Sequence, residues 1–442
     1  MNNREIVDLC RKYTVYEWTP QAHSAADPVV AVRSKGVHFW DADGKRYIDF
    51  NSQLMCVNAG HADERIIEGI VSQLRVMPYA NPFIATEPRA ILGQMLAELT
   101  PGNLNKFFFT NGGAEATENA IRIARHVTGR HKIMVRYRSY HGATHGAISL
   151  TGDPRRWASE PAIPGVIRVL DPYPYRCSFG SKTVEECGQR GLAHIEEVLQ
   201  YEGAHNVAAF FLETVTGTNG LLVPPPGYLE GLRALCDKHG IMLVCDEVMA
   251  GFGRTGKWFA CDHWNVVPDM ITMAKGLTSA YLPLGAVAMK EEIAAHFEHK
   301  AFPGGLTYNC HPMGLAAAIA TIKVYKEDNL IERGAKMGVV MAGHLERMKA
   351  RHKSVGDVRS IGLFGIVELV RNRETREPLA PYNGTSPEMQ KLGRFLRDNG
   401  LFTFVRWNNF FTNPPLTITD AEMAEAFETI DRGLTLVDEM LG

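Results

Sequence analysis

Residues Ile241–Lys275 read IMLVCDEVMAGFGRTGKWFACDHWNVVPDMITMAK, and the fold is decided in this stretch. It opens on an apolar run, Ile241–Val244, of the kind a strand buried on both faces requires. Two adjacent carboxylates, Asp246 and Glu247, end that run. A second apolar run, Met270–Met273, leads to a single lysine, Lys275, followed by Gly276. A charge at the end of a buried strand is costly unless it has a partner. In open α/β sheets ligands bind at the carboxyl ends of the strands. Chemistry is therefore expected at the two ends of the stretch.

Outward from it, the pattern alternates. NKFFFT, KIMVRY, VIRVL, VAAFFLE, IMLVCDE, DMITMAK and GAVAMK read as strands between about 100 and 300, with helices between several of them. That alternation predicts a mostly parallel sheet with right-handed crossovers. AEATENAIRIARHVTG, directly after the turn TNGG, is a helix with apolar residues at Ala120, Ile121, Ala124 and Val127. Upstream, a helix and short strands are expected, with HFWDADGKRYIDF forming a hairpin about Asp43-Gly44. Two more helices are expected, over HADERIIEGIVSQL and over roughly Glu87–Leu99. Downstream, MGLAAAIATIKVYKE and a second helix from about Leu330 to His352 precede a smaller α+β unit. Its last helix opens on a capping box, Thr419-Asp-Ala-Glu422. The expected division is an N-terminal segment 1–55 packing with the small domain, a large domain 56–320 and a small domain 321–442. A continuous helix is expected to join the two domains.

With 45% hydrophobic and 22% charged residues, the 442-residue chain has the composition of a soluble globular protein. A formal net charge of −2 gives no electrostatic reason to expect nucleic acid or an anionic membrane as partner. No run approaches the ~18 apolar residues of a membrane span, and the N-terminus shows no apolar core of a signal peptide. Eight scattered cysteines without a C-x-x-C pair read as reduced thiols in a cytoplasmic protein, and no metal set with zinc spacing accompanies Cys261 and His263.

Gly251-Phe-Gly253-Arg-Thr-Gly256 matches G-x-G-x-x-G, but no helix opens after it and two carboxylates precede it, where phosphates would be repelled. It reads as a turn that needs glycine's backbone freedom. Asn111-Gly112-Gly113-Ala114-Glu115 lies between a strand and a periodic helix, so it is equally a phosphate cradle or a tight βα turn. Period-two alternation puts Asp246 and Val248 on one side of the chain, an arrangement suited to a flat aromatic cation. Tyr140, after KIMVRY, is a ring for stacking or a core tyrosine. A phosphate turn, a strand-end carboxylate and a lone strand-end lysine together suggest pyridoxal phosphate.

TNGGAEATENAIRIAR, SYHGAT, CDEVMAGFGRTG, DMITMAKGL and GLTYNCHP, in that order, resemble the class III (omega) aminotransferases. The resemblance covers nearly the whole chain. ETVTGTNG, NSQLMCVN and FVRWNNFFTNPPL look most like the taurine–pyruvate members. It implies an α/β fold of the fold type I class, with a seven-stranded sheet in the large domain, and pyridoxal 5'-phosphate as cofactor. Lys275 would bond the cofactor and shuttle the proton; Asp246 would hold the pyridine nitrogen protonated. Gly113 and Ala114 would bind the phosphate, Tyr140 and Val248 would cover the two ring faces, and Gly112, His141 and Glu213 join the cofactor-binding set. Thr307 would reach the phosphate of the neighbouring subunit's cofactor, so a homodimer is implied, with a tetramer left open.

For the substrate, Arg406 lies near the family's carboxylate-binding arginine, and Met55, Tyr79 and Thr218 complete the implied pocket. Thr218 stands where glutamate-linked members carry a glutamate that pairs with that arginine. Arg406 must then swing to solvent, or the donor must bring its own anion, as taurine or β-alanine does. Met55 falls where many amine-specific members place a tryptophan. Both points favour pyruvate over 2-oxoglutarate as amino acceptor. The rivals are a decarboxylase or aminomutase on the same scaffold, and a protein that only binds a ligand in the pocket.

Overall fold

The computed structural model describes residues 1–24 and 28–442. Its large sheet has strands β1 (Lys106–Thr110), β2 (Lys132–Arg136), β3 (Val166–Val169), β4 (Val207–Glu213), β5 (Met242–Asp246), β6 (Met270–Met273) and β7 (Gly285–Met289). Their spatial order is β1-β7-β6-β5-β4-β2-β3. Every neighbouring pair is parallel except those of β7, which runs antiparallel to β1 and β6. The connection accounts for the exception. Residues 274–284 hold only the short 3-10 turn Lys275–Leu277, so no crossover helix carries the chain back for a parallel return.

The central strands are buried on both faces. Leu243 and Cys245 of β5 join one apolar core while Val244 joins the other, and Ile271 and Met273 of β6 are split from Met270 in the same way. The helix Gly113–Thr128 covers the second core with Ala116, Ala120, Ile121, Ile123 and Ala124, all buried. At ~25 cal/mol per Å2, the apolar area of these strands supplies most of the driving force for this layer.

The hairpin at residues 38–49 pairs His38–Trp40 with Arg46–Asp49, and the latter strand pairs in parallel with Leu401–Phe402. The N-terminal segment thus shares a sheet with the far end of the chain. An antiparallel sheet is built from Val355–Ile361, Phe364–Asn372, Asn409–Thr412 and Val405–Arg406. The long helices run Pro312–Glu327 and Leu330–Arg351. The two are separated where the sequence separates them: Asn329 takes a left-handed conformation, φ 49°, and the Asp328 carboxylate is drawn to Arg65 at 2.6 and 2.9 Å, while the first helix runs unbroken across residues 320 and 321. The capping box of the last helix is present, with Thr419 N–H donating to Glu422 at 2.9 Å. Among the described residues no helix is long and apolar enough to cross a membrane, and all eight cysteines are free thiols.

The G-x-G-x-x-G loop is a turn pressed against the helix Leu330–Arg351. Gly253 and Gly256 have φ of +86° and +85°, and a Cβ on Gly256 would stand 2.9 Å from the backbone of Ala335. Between them Arg254 is wholly buried. It donates to the carbonyls of Leu363 (2.9 Å) and Pro414 (2.6 Å), to Ser52 Oγ (2.9 Å) and to Asn58 Oδ1 (2.7 Å). One guanidinium therefore ties the loop after β5 to both ends of the chain. Burial without an adjacent carboxylate pulls its pKa down to about 10. Arg254→Leu strands four buried acceptors, so it is expected to lower unfolding free energy by at least ~3 kcal/mol, measured by urea denaturation at neutral pH.

Candidate active site

A cavity of about 510 Å3 opens at the carboxyl ends of the strands, lined by six stretches of the chain. After β1, the turn Asn111–Gly113 opens the sixteen-residue helix Gly113–Thr128. Gly112 at its head makes no side-chain cap, and nothing lies within 4 Å of where its Cβ would stand. The first-turn N–H groups and the positive end of the helix dipole are thus presented to the cavity, a ready anion cradle. Gly113 is required by Val248, whose Cγ2 would be 2.9 Å from an added Cβ. Gly142 is required by Ala114 in the same way, at 2.5 Å and with φ +131°.

Asp246 and Glu247 part company at the end of β5. Asp246 faces the cavity: Oδ1 accepts the N–H of Val248 at 3.0 Å, and Oδ2 lies 2.7 Å from His141 Nδ1. Glu247 is turned into the protein, where it accepts from Thr214 Oγ1 (2.7 Å) and from the N–H groups of Ala260 and Cys261 (each 2.9 Å). Glu213 stands beside Asp246 in the β4–β5 register. It spends one oxygen on the Tyr140 N–H (2.9 Å) and the other on the Gly217 N–H (2.8 Å), and burial raises its pKa. It thereby fixes the loops that carry Tyr140 and Thr218.

Lys275 follows β6 in a left-handed conformation, φ 45°, a strained position for a side-chain-bearing residue. Gly276 lets the chain pass Asn58, whose Nδ2 would be 2.6 Å from an added Cβ. Burial lowers the pKa of Lys275, opposed by the nearby Cys56, Asp246 and Glu213. Its amine is therefore more readily neutral, and nucleophilic, than a surface lysine's.

The structure brings Gly112, Gly113, Ala114, Tyr140, His141, Glu213, Thr218, Asp246, Val248 and Lys275 into one cavity. Met55 is not among its walls. It is buried with Val215, Leu221 and Phe411, and its neighbours Leu54 and Cys56 line the cavity instead, because Ser52, Gln53 and Met55 all have positive φ and turn the chain over. Tyr79 and Thr307 lie outside the cavity of their own chain, Tyr79 Oη donating to the Thr307 carbonyl at 2.8 Å. Arg406 has a counter-ion that the sequence reading lacked. Its Nη2 lies 3.1 Å from Asp153 Oδ2, so it need not reach solvent. Arg155, also unread in the sequence, binds the same carboxylate, donates to Thr218 Oγ1 at 2.8 Å and stacks 3.6 Å from the centre of the Tyr140 ring. Trp18 meets that ring edge-on at 5.9 Å. In sequence, Asp153-Pro154 signals only a turn; its partner Arg406 is 253 positions away.

The donor set matches pyridoxal phosphate: an uncapped helix start for a phosphate, a carboxylate for a pyridine nitrogen, and a buried amine for an aldehyde carbon. Fold and site define the class, a fold type I pyridoxal-phosphate enzyme. Residues 20–434 match the family Aminotransferase class-III, and the chain belongs to that family, whose members use this cofactor. It is 33% identical to the taurine–pyruvate aminotransferase of Bilophila wadsworthia, over 99% of this chain and 98% of that one. A crystal structure of taurine:2-oxoglutarate aminotransferase from Bifidobacterium kashiwanohense, with PLP and glutamate, superposes with a TM-score of 0.96 at 41% identity, covering 100% and 99% of the two chains. An (S)-enantioselective omega-transaminase from Thermomicrobium roseum superposes at 0.93 with 36% identity, covering 99% of each.

Glu247 carries a pH signature. Burial pushes its pKa up to about 7, above an unfolded value near 4.5. Between those values the folded state holds the extra proton, so stability falls as pH rises from about 4.5 to 7. Glu247→Gln removes this dependence. Thermal melts at pH 5 and pH 8 should show wild type losing about 3 kcal/mol more than the variant across that interval.

Proposed function

We propose that this aminotransferase takes the amino group of an ω-amino donor with a terminal anion, such as taurine or β-alanine, and passes it to pyruvate in a ping-pong cycle. Alanine and an aldehyde are the products. The reading rests above all on Lys275, a buried amine of lowered pKa at the end of the strand beside Asp246. Pyridoxal phosphate, when bound, supplies the electron sink and carries the nitrogen between the half-reactions.

The chain's own residues supply the rest. Nζ of Lys275 takes the proton from the amine-bearing carbon of the substrate and returns it on the far side of the transfer. Asp246, steadied by His141 and by the Val248 N–H, keeps a ring nitrogen protonated through its carboxylate oxygens. The N–H groups of Gly112, Gly113 and Ala114 would hold the cofactor's phosphate, and Tyr140 and Val248 would be its ring contacts. Arg406 binds the keto-acid carboxylate, and Arg155, against Tyr140 and Thr218, receives the donor's sulfonate or carboxylate. Leu54 and Cys56 close the wall where Met55 was expected. The exposed Tyr79–Thr307 pair supports a homodimer in which Thr307 serves the neighbouring site, and eight free thiols support a cytoplasmic setting.

A second reading takes 2-oxoglutarate as acceptor. Arg155 favours it, since a second guanidinium beside Arg406 gives a second carboxylate its partner.

Two outcomes are expected. Lys275→Ala should lose the visible absorption band of the bound cofactor's lysine linkage, and its turnover should drop by about ten-thousand-fold; an unaltered spectrum would end the catalytic reading. In a donor panel assayed by alanine formation, taurine and β-alanine should exceed butylamine in kcat/KM by about tenfold or more. Equal rates, or CO2 release, would redirect the reading to a simple-amine enzyme or a decarboxylase. Replacing pyruvate by 2-oxoglutarate in the same panel decides the acceptor.

A further inference from the structure

Two of the eight free thiols meet. Cys177 follows the short turn Pro174–Arg176, and Cys187 lies near the start of the helix Val184–Glu202. Cys187 Sγ–H donates to Cys177 Sγ at 2.9 Å, and Ser181 Oγ–H donates to the same sulfur at 2.7 Å. The segment between the cysteines is held in place without help from either sulfur. Gly180, φ +66°, turns the chain, the Lys182 N–H donates to Glu186 Oε2 at 2.7 Å, and Arg190 Nη1 donates to the Phe179 carbonyl at 2.7 Å. Thr183 caps the helix, its Oγ1 accepting the Glu186 N–H at 3.1 Å.

The two thiols are unlike. Cys187 is wholly buried, and burial pushes its pKa up to about 12. Cys177 is half-buried; burial works to raise its pKa, but hydrogen bonds from Cys187, from Ser181 and from the N–H groups of Ser181 and Phe179 outweigh that and lower it. The thiolate is the reactive form of cysteine, so Cys177 is the sulfur that an oxidant attacks first. Ser181, bonded to it, lines a cleft of about 410 Å3 together with Tyr175, Lys182 and Arg376, and a small oxidant can arrive that way. Cys187 is closed to solvent and touches Cys177, so it meets an oxidant only through an oxidised Cys177. Neither cysteine lines the cavity that holds Lys275.

We propose that Cys177 and Cys187 form a peroxide-reactive dithiol, a modification site in which Cys177 is the attacking sulfur and Cys187 the resolving one. The Cys177 sulfur bonds one oxygen of hydrogen peroxide, the O–O bond breaks, and the other oxygen leaves as water; the sulfur loses two electrons to the peroxide and becomes a sulfenic acid. The Cys187 sulfur then attacks that sulfur. The S–S bond forms, the S–O bond breaks, and the hydroxyl leaves with the Cys187 proton as a second water. The bond would staple the start of the helix to the segment whose Tyr173 and Arg176 hold Glu368 on the strand Phe364–Asn372. In a reducing compartment the pair stays as thiols until an oxidant arrives, and it returns to thiols by exchange with a small dithiol. The assignment is independent of which amine and keto acid the enzyme takes.

Reduced, cofactor-loaded enzyme, freed of reductant, is treated with a small molar excess of hydrogen peroxide. Thiol titration after denaturation should show two of the eight thiols lost. The proteolytic peptides carrying Cys177 and Cys187 should be joined, lighter by two hydrogen atoms than their sum, and dithiothreitol should separate them and return both thiols. In Cys187→Ser the same treatment should leave a sulfenic acid on Cys177, captured by dimedone; in Cys177→Ser no joined peptide should form. Retention of all eight thiols, a bond from either cysteine to a different residue, or dimedone capture at another cysteine would overturn the assignment. The peptide map of the wild type needs no substitution and stands even where a variant fails to fold.

Discussion

The molecule is organised around a carboxylate and an amine that must both be kept out of water at the ends of neighbouring strands. Asp246 ends β5 and Lys275 follows β6, and the two strands are hydrogen-bonded in parallel. A sheet with apolar cores on both faces is what makes those ends dry, and dryness is what lowers the Lys275 pKa. The same dryness makes each charge expensive, which explains how completely each is surrounded. Asp246 has a histidine and a backbone amide, Glu213 has two backbone amides, and Glu247 has a hydroxyl and two amides. Buried carboxylates of this kind stay only if their lone pairs are used.

Adjacent positions on one strand end consequently do different work. Pleating turns Asp246 to the cavity and Glu247 away from it. Glu213, beside Asp246 in the next strand, keeps its oxygens for the N–H groups of the loops at Tyr140 and Gly217. The antiparallel return of β7 belongs to the same arrangement. Without a crossover helix after β6, Lys275 lies in a tight left-handed turn, held by Gly276 against Asn58 and Phe252. Asn58 is in turn bonded to Arg254, whose other bonds reach the C-terminal part of the chain. Packing far from the cavity is thus continuous with the position of the Lys275 amine.

How much of this was legible in sequence depends on how local each cause is. The seven strands, the helix after Gly112, the hairpin about Asp43-Gly44 and the Thr419 box rest on short-range periodicity and capping, and they are seen where the residues imply them. The antiparallel β7 was not legible, because strand direction follows from what fails to form in residues 274–284 and not from the strand's own residues. The match to a tryptophan of amine-specific aminotransferases puts Met55 in the pocket, and the side chain points elsewhere because three positive-φ residues turn the loop over. Conformations of that kind leave no mark in a hydrophobic pattern.

The arginines show the same limit for charge. From sequence, Arg406 has no visible partner once Thr218 replaces a glutamate, and the reasoning that follows is sound for an isolated cation. The folded chain adds a carboxylate from 253 positions away and a second arginine with it. The count of charges then decides more than the identity of any one of them. One arginine with one carboxylate would be neutral and indifferent to substrate anions. Two arginines with one carboxylate form a site whose electrostatic deficit a substrate anion can make good.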